Sequence, residues 1–286
     1  MTVHELPLER RTLHGHFSRE LAPVLTVDGG DSVAFSTLAS SWHGEDREEF
    51  APRDPELDAG HALVGPIAVR GARRGQTLAV QIDELRPGSW GATFGDGEMF
   101  LWELDGETAT DERGVTVSLS PFLGVIGMPP DEPGIWSTTP PRRTGGNIDC
   151  KELVAGSTLY LPIAVDGAVV SLGDGHGAQG DGEVSGTAIE APFSLVRVTL
   201  DVRDDLELRM PVARTSGAWI AFGFDRDLDV AAELATETML DLIEREHATD
   251  RKHALALASV AVDLHVTQLV NDAKGVHAIL LDDALR

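Results

Sequence analysis

Apolar residues come in short bursts through the first three quarters of the chain, and Gly, Asp and Pro separate these bursts. Bursts of this length between turn-forming residues are typical of β-strands. The pattern therefore predicts a chain made mainly of strands, spaced much as in β-sandwiches and barrels. The clearest strand candidates are Thr77 to Ile82, Val115 to Leu119, Phe193 to Val202, Leu206 to Val212 and Trp219 to Phe224.

Two further pairs of bursts are joined by short Asp-Gly turns. Residues 24–35 turn at Asp28 to Gly30, and residues 158–172 turn at Asp166-Gly167. Glycine supplies the positive φ that tight hairpin turns require. We therefore predict two β-hairpins, the second of which leads directly to Gly173.

Helical periodicity comes late in the chain. Apolar residues recur at roughly helical spacing from Val230 to His247 and again from His253 to Val262. The sequence thus predicts a mainly β fold, with a β-sandwich or jelly-roll-like core of hairpins and C-terminal helices packed on it (α+β overall). We predict a single domain over residues 1–286; two closely packed β-rich halves, meeting near the Pro-Gly-rich stretch 129–146, are the alternative.

Composition narrows the classes of partner and compartment. The 286 residues are 42% apolar, and 23 Lys and Arg against 47 Asp and Glu give a formal net charge of -24. This charge disfavours nucleic acid and anionic membranes as partners. A single cysteine, Cys150, rules out an internal disulfide and a cysteine-cage metal site, and fits a reducing compartment. No stretch approaches the roughly 20 apolar residues of a membrane span, so we expect a soluble cytoplasmic protein.

Candidate chemistry is concentrated in the segment GDGHGAQGDGEVSGTAIE, from Gly173 to Glu190. Glycine allows tight turns, so neighbouring carboxylates and an imidazole can converge on one point. Such a mixed N/O set is typical of catalytic zinc and tolerates manganese or iron, and an all-oxygen subset suits calcium. The structural alternative is a cluster of Gly-Asp turns in which aspartates accept backbone N–H groups.

A second polar cluster, GGNIDCKEL, runs from Gly145 to Leu153 just before the second predicted hairpin. Asn147, Asp149 and Lys151 fall within it. We expect the two polar segments to meet at the same end of the sheet.

These two segments, the intervening TLYLPIAVDGAVVSL and the stretch HALVGPIAVRGARRGQTLAVQI near Gly65 together resemble the acetamidase/formamidase family of amidohydrolases. The similarity runs along most of the chain. It implies hydrolysis of a small carboxamide to a carboxylate and ammonia, a β-sandwich-like core and assembly as a homo-oligomer.

Amide hydrolysis needs a nucleophile, an electrophile for the oxyanion and a proton, all of which a metal-activated water with one carboxylate can supply. We therefore hypothesise a divalent metal site, with zinc first and calcium or manganese as alternatives. Structural roles remain open for Glu190 as a cap or ion-pair partner, Asp181 as an acceptor of turn N–H groups, and Asp149 as a partner of Lys151. The predicted roles are metal binding by Asp149, Asp174 and His176, proton transfer by Glu183, orientation of substrate or water by Glu190, and contacts to the ligands or substrate by Asn147, Gln179 and Asp181.

Two residues depart from the family pattern. Ser185 stands where similar proteins usually have cysteine, and Ala39 stands where they have aspartate. The alternatives are therefore an amidase that uses Ser185 as its nucleophile, or a catalytically weakened family member that binds small molecules or has a structural role. A sugar-binding jelly-roll module is a third class. Whether any of the first-half histidines, His14, His16, His43 and His61, reaches the site is not decided by the sequence.

Overall fold

The computed structural model describes residues 1–285, which form mainly strands and two α-helices. A short 3-10 turn spans Arg10–Thr12. The prediction of a mainly β fold with helices near the C-terminus is confirmed. The strands are β1 (Val3–Glu5), β2 (Leu13–His14), β3 (Leu25–Val27), β4 (Asp31–Thr37), β5 (Leu63–Val69), β6 (Thr77–Pro87), β7 (Trp90–Gly95), β8 (Glu98–Leu104), β9 (Thr108–Asp111), β10 (Thr116–Ser118), β11 (Phe122–Gly127), β12 (Gly145–Asn147), β13 (Thr158–Pro162), β14 (Val170–His176), β15 (Phe193–Arg203), β16 (Val212–Arg214), β17 (Ala218–Asp225), β18 (Val262–Gln268) and β19 (Lys274–Leu281), and the helices are α1 (Leu228–His247) and α2 (Arg251–Ala261).

The strands form three sheets. A nine-stranded sheet has the order β1-β4-β15-β6-β13-β16-β17-β19-β18, and a four-stranded sheet has the order β10-β9-β8-β7. A six-stranded sheet has the order β12-β11-β14-β5-β2, with β3 paired in parallel to β5. The six-stranded sheet contains β14, which carries the first part of the polar segment that begins at Gly173.

One apolar core is shared by the nine-stranded and six-stranded sheets. Val80 of β6 and Leu161 of β13 belong to it from the first sheet, and Leu123 of β11 and Leu172 of β14 belong to it from the second. A second core lies where the helices cover the nine-stranded sheet. It includes Met239 of α1 with residues of β17 and β19. The helices therefore pack on the sheet, as the sequence predicts.

Neither predicted hairpin forms. The strands on either side of Asp28 to Gly30 exist, but β3 pairs with β5 and β4 pairs with β1 and β15. Likewise β13 pairs with β6 and β16, whereas β14 pairs with β5 and β11. A glycine turn, such as that at Gly167 with φ 91°, reverses the chain without choosing its hydrogen-bond partner. Both turns lead the chain from one sheet into the other. In this arrangement the apolar side of each strand is buried in the core that the two sheets share.

The predicted strand from Leu206 to Val212 is also wrong over most of its length, since only β16 begins at its last residue. The alternation there reflects burial of Leu206 and Leu208 in the core beneath the helices. Side chains satisfy the carbonyl groups of this segment, because Thr77 donates to the carbonyl of Leu206 and Arg143 to that of Leu208. These carbonyl groups therefore have hydrogen-bond partners without a neighbouring strand.

Both helices begin at aspartates. The side chain of Asp227 accepts a hydrogen bond from the N–H of Asp229, and that of Asp250 accepts one from the N–H of His253. Such caps satisfy N–H groups that have no partner in the first helical turn. Within residues 1–285, no helix is both long enough and apolar enough to cross a membrane.

Gly223 in β17 is a point of close approach between α1 and the sheet. A Cβ at this position would lie 2.0 Å from the carbonyl oxygen of Ala231 and 2.4 Å from the backbone nitrogen of Ala235. Gly223→Ala is expected to push the helix away and lower the free energy of unfolding by on the order of 3 kcal/mol. Urea unfolding measures this loss. Gly217→Ala is the matched control, because a Cβ there meets nothing within 4 Å; an equal loss in both variants would contradict the steric explanation.

His14 of β2 makes the stability depend on pH. Its Nε2 lies 2.9 Å from Ser171 Oγ and its Nδ1 lies 2.7 Å from the carbonyl oxygen of His16. Burial lowers the pKa of His14 to about 4 from the usual 6.5. Between these values the unfolded chain takes up a proton that the folded chain does not, so stability is expected to fall as the pH falls through this window, by on the order of 3 kcal/mol in total.

Urea unfolding of the parent chain and of His14→Asn, at about pH 7 and about pH 5, tests this expectation. Because asparagine does not titrate, the variant should lose less stability between the two pH values than the parent chain loses. Equal losses in the two proteins would show that His14 does not carry this part of the pH dependence.

Candidate active site

Strand β14 brings Asp174 and His176 to one side of the six-stranded sheet. Asp174 has a φ of 61°, in the left-handed region, so the backbone of β14 departs there from regular strand geometry, and the carboxylate of Asp174 contacts the ring of His176. The intervening Gly175 leaves room for a neighbour, since a Cβ there would lie 2.3 Å from Cδ1 of Phe193. The polar segment was predicted to converge by glycine turns, but for this pair the left-handed conformation occurs at Asp174 itself, within β14.

Asp149 reaches the same place from the turn after β12. Its φ is 56°, in the left-handed region, which aspartate tolerates better than most residues. The N–H of Asp149 donates to the carbonyl of Gly124 in β11 at 3.3 Å. Gly124 forms the floor of the site, because a Cβ on it would lie 2.4 Å from Asp174 Oδ2, 2.7 Å from Asp149 Oδ1 and 2.8 Å from His176 Cε1.

Glu183 and Glu190 complete the group. The neighbour of Glu183, Gly182, is held by the backbone of β18, with its N–H donating to the carbonyl of Thr267 at 3.1 Å. Glu190 forms single backbone bridges to His176 and to Ala92 of β7. Its Oε1 accepts a hydrogen bond of 2.9 Å from the N–H of Ala188.

These five residues, which we call the carboxylate cluster, are all buried, with at most 7% of each exposed. The members are Asp149, Asp174, His176, Glu183 and Glu190. His176 Nε2 lies 3.3 Å from Asp174 Oδ2 and 3.3 Å from Glu190 Oε1. Ligand atoms of Asp149, His176 and Glu183 lie within 4.8 Å of one another, as do those of Asp174, His176 and Glu190. His176 is therefore common to two potential ligand sets.

The electrostatics of the cluster follow from burial and from its one imidazole. Burial, and then the charge of Glu183, raise the pKa of Asp149 well above its usual value, and burial raises the pKa of Glu183 to about 7. Burial also opposes ionisation of Asp174, but the charges of His176 and His61 outweigh it and lower the pKa of Asp174. Burial disfavours protonation of His176, yet Glu190 and Asp174 raise its pKa well above 6.5. Proton affinities within the cluster thus differ widely.

The cluster fits a bound cation. Within residues 1–285, no Lys or Arg forms an ion pair with any of its four carboxylates. Asp149 Oδ1, Asp174 Oδ1, Glu190 Oε2 and His176 Nδ1 are buried without a hydrogen-bond partner in the described part of the chain. Buried charges of one sign are costly unless they are paired or bind a metal. Carboxylate oxygens together with one imidazole nitrogen are suitable ligands for a divalent metal ion.

Asn271 is a site residue that the sequence analysis missed. It lies in the turn between β18 and β19, and its amide donates to Asp149 Oδ2 at 2.7 Å and to Glu183 Oε2 at 3.2 Å. It therefore fixes two carboxylates that come from distant segments. The missed signal is the alternation of Val262, Leu264 and Val266 with polar residues, which predicts a strand directly after the second helix.

Asn147, Gln179 and Asp181, which were predicted to contact the ligands or the substrate, differ in position. Gln179 donates from Nε2 to the carbonyl of Asp149 at 2.8 Å, and Asn147 is buried in β12 with Oδ1 unpartnered within residues 1–285. Asp181 instead lies at the surface, where its carboxylate contacts Lys151 Nζ at 2.8 Å and His265 Nδ1 at 3.0 Å. The alternative pairing of Asp149 with Lys151 is therefore wrong.

Ser185 and Ala39, the two residues that depart from the family pattern, lie in different surroundings. Ser185 is exposed, and its hydroxyl contacts the carbonyl oxygen and Oγ1 of Thr187 at 3.2 and 3.3 Å. These contacts supply no base for a nucleophilic serine. Ala39 is buried beside Trp90 and Ala92.

Of the first-half histidines, His61 is the one whose charge lowers the pKa of Asp174. Its ring contacts the hydroxyl of Thr138 at 2.8 Å, and it lines a surface cavity of about 380 Å³. His14 and His16 are hydrogen-bonded to carbonyl groups, and His43 contacts Ser41. Among these four histidines, His61 is therefore the one with an electrostatic effect on a residue of the carboxylate cluster.

Comparison with known proteins identifies relatives of this chain. A model described as the Acetamidase/Formamidase family matches residues 134–282, just over half of the chain. An acetamidase from Mycolicibacterium smegmatis is 26% identical over 207 residues, which are 46% of this chain and 51% of that protein. A formamidase from Methylophilus methylotrophus is 23% identical over 261 residues, which are 64% of each chain. This chain thus spans about half to two thirds of the length of these relatives.

A solved structure matches more completely. The acetamidase from Bacillus halodurans superimposes with a TM-score of 0.86 and 28% identity, over 97% of both chains. The fold seen here, including the arrangement of its sheets, therefore recurs along nearly the whole of that protein.

Proposed function

Because the chain belongs to the acetamidase/formamidase family, we propose that it hydrolyses small linear carboxamides, such as formamide or acetamide, to the carboxylate and ammonia. The observation that carries the proposal is the convergence of four buried carboxylates and one imidazole with unpartnered ligand atoms. The names of the matched acetamidase and formamidase support the substrate class. A cytoplasmic location and a homo-oligomeric state remain predictions.

The proposed metal site uses Asp149, Asp174 and His176. Zinc is the first choice for this donor set, with manganese, iron or calcium as alternatives. When bound, a divalent ion polarises the amide carbonyl and makes water more acidic. Gly124 supports this proposal, since it leaves open the space between a carboxylate oxygen of Asp174, a carboxylate oxygen of Asp149 and the imidazole ring of His176.

Glu183 is the proposed proton carrier. It takes a proton from the attacking water and delivers it to the nitrogen of the departing amine, which leaves as ammonia. Burial raises the pKa of Glu183, which brings this carboxyl towards the range in which it accepts and releases a proton near neutral pH. The amide of Asn271 holds Glu183 Oε2 beside Asp149.

Glu190 is proposed to orient the substrate amide or the water. Its Oε1 is fixed by the N–H of Ala188 and lies next to His176, while Oε2 is free to accept a hydrogen bond.

The test is ammonia release from a panel of linear amides. Protein purified without chelator is compared with chelator-treated protein and with protein to which zinc, manganese or calcium has been restored. We expect release by the first, loss after chelation and recovery with one of the ions. No release by metal-loaded protein from any amide would favour a binding or structural role, and release that is indifferent to chelation would contradict the metal site.

A further inference from the structure

A second group of potential ligands includes Cys150, which directly follows Asp149 of the carboxylate cluster in the chain. We call it the Cys150 cluster, and it consists of Cys150, Glu152 and His277. The ligand atoms of these residues lie within 4.8 Å of one another. Cys150 Sγ is 3.1 Å from Glu152 Oε2, and His277 Nε2 is 3.6 Å from the same oxygen. The proposed amide hydrolysis makes no use of this group.

His277 presents an unpartnered nitrogen to this cluster. The residue is fully buried in β19, and within residues 1–285 its Nε2 has no hydrogen-bond partner. The other ring nitrogen, Nδ1, lies 2.8 Å from Oγ1 of the buried Thr267. When Nδ1 carries the ring proton and donates it to Thr267, Nε2 turns its lone pair towards Cys150 and Glu152. A second-nitrogen hydrogen bond of this kind is the usual way in which a metal-binding histidine is oriented.

We propose that Cys150, Glu152 and His277 bind a second divalent metal ion of the zinc class. Thiolate, imidazole and carboxylate are all zinc ligands, and bond lengths of about 2.0–2.3 Å place such ligands roughly 3.3–3.8 Å apart. The two measured contacts, at 3.1 and 3.6 Å, require only small shifts to meet this spacing. On binding, the thiol proton of Cys150 leaves to solvent and the sulfur electron pair forms the bond to the metal.

The surroundings leave a fourth position beside His277. His265 stacks on His277 with ring centroids 5.1 Å apart, and ligand atoms of Asp181, His265 and His277 also lie within 4.8 Å of one another. Lys151 Nζ lies 2.8 Å from Asp181 Oδ1 and 3.9 Å from Glu152 Oε1, so it contacts the carboxylate oxygen of Glu152 that does not face Cys150 and His277. The fourth ligand is therefore water, Asp181 or His265, as in sites with three protein ligands and one open position.

A metal here would join two distant parts of the chain. Cys150 follows Asp149 directly, whereas His277 lies in the strand after the turn that carries Asn271. The bound ion would hold these segments together next to the carboxylate cluster without taking part in its chemistry. We infer a structural role for this ion, and the site does not depend on the proposed amidase activity.

Cobalt(II) is the probe that distinguishes the two sites. The chain has one cysteine, so a thiolate-to-cobalt charge-transfer band in the near ultraviolet reports Cys150 alone. Metal-free protein titrated with Co²⁺ is expected to develop this band and to show a higher midpoint of thermal unfolding. Cobalt binding without the band would overturn the proposal.

Three variants complete the test. Cys150→Ser should abolish the band, and Glu152→Gln, which changes a partly buried residue, should weaken the affinity that the band reports by at least about 10-fold. His176→Asn, which removes a carboxylate-cluster ligand, should retain the band and its thermal shift. Far-ultraviolet circular dichroism checks that each variant folds. An unchanged band in Glu152→Gln would overturn the proposed three-residue site by removing Glu152 from it, and loss of the band in folded His176→Asn would show that Cys150 does not bind a metal separately from the carboxylate cluster.

Discussion

Replacing Glu183 by glutamine is expected to lower kcat for amide hydrolysis by roughly 100- to 10,000-fold. Glutamine keeps the size of the side chain and can still contact Asn271, but it neither accepts nor carries the proton. The bound metal should remain, because Asp149, Asp174 and His176 are unchanged. The measurements are ammonia release at saturating substrate and metal content by elemental analysis.

Glu233→Gln is the matched control, since Glu233 is exposed on α1, outside the carboxylate cluster. It should leave both kcat and metal content unchanged. If Glu183→Gln loses the metal together with activity, Glu183 is a ligand and the proton carrier is another residue. Full activity in Glu183→Gln would remove it from the mechanism altogether.

Gly124→Ala should close the site with a single methyl group. The added Cβ would collide with Asp174, Asp149 and His176 at 2.4 to 2.8 Å, and each of these side chains is held in a buried position. We expect loss of the bound metal and a fall in kcat/KM of at least about 100-fold, because misplacement by even 1 Å can have an effect of that size. Elemental analysis and ammonia release measure the two effects.

Gly124 has an ordinary negative-φ backbone, so alanine introduces no backbone strain there, and the overall fold should survive. Gly180→Ala is the control within the same site region, because a Cβ at Gly180 meets nothing within 4 Å. A Gly124→Ala protein that keeps its metal and its activity would mean that the ligands are not those of the carboxylate cluster.

The strand content was predictable because it is local. Alternation and turn residues indicate where strands begin and end, and β6, β15 and β17 lie close to the predicted segments. The pairing of strands was not predictable, because each strand joins the sheet in which its apolar side is buried. The turn at Gly167 illustrates this point, since the same turn serves a hairpin or, as here, a crossing between two sheets.

The five residues of the carboxylate cluster were predictable from composition and from family resemblance, since two short segments hold them all. Their roles remain predictions. Asn271 was missed because its contribution requires β18 and β19 to fold back across the polar segment, which is a long-range contact. Asp181 was included because it lies between cluster residues in sequence, yet the backbone turns it towards Lys151.

The position of Asn271 has a consequence for the order in which the site is built during synthesis. A nascent chain leaves the ribosome from its N-terminus, and its early segments can fold before later ones appear. All five cluster residues emerge before the turn that carries Asn271, which joins Asp149 to Glu183. A partly synthesised chain therefore holds its carboxylates without the bridge between these two, and the hairpin of β18 and β19, which emerges after them, completes the site.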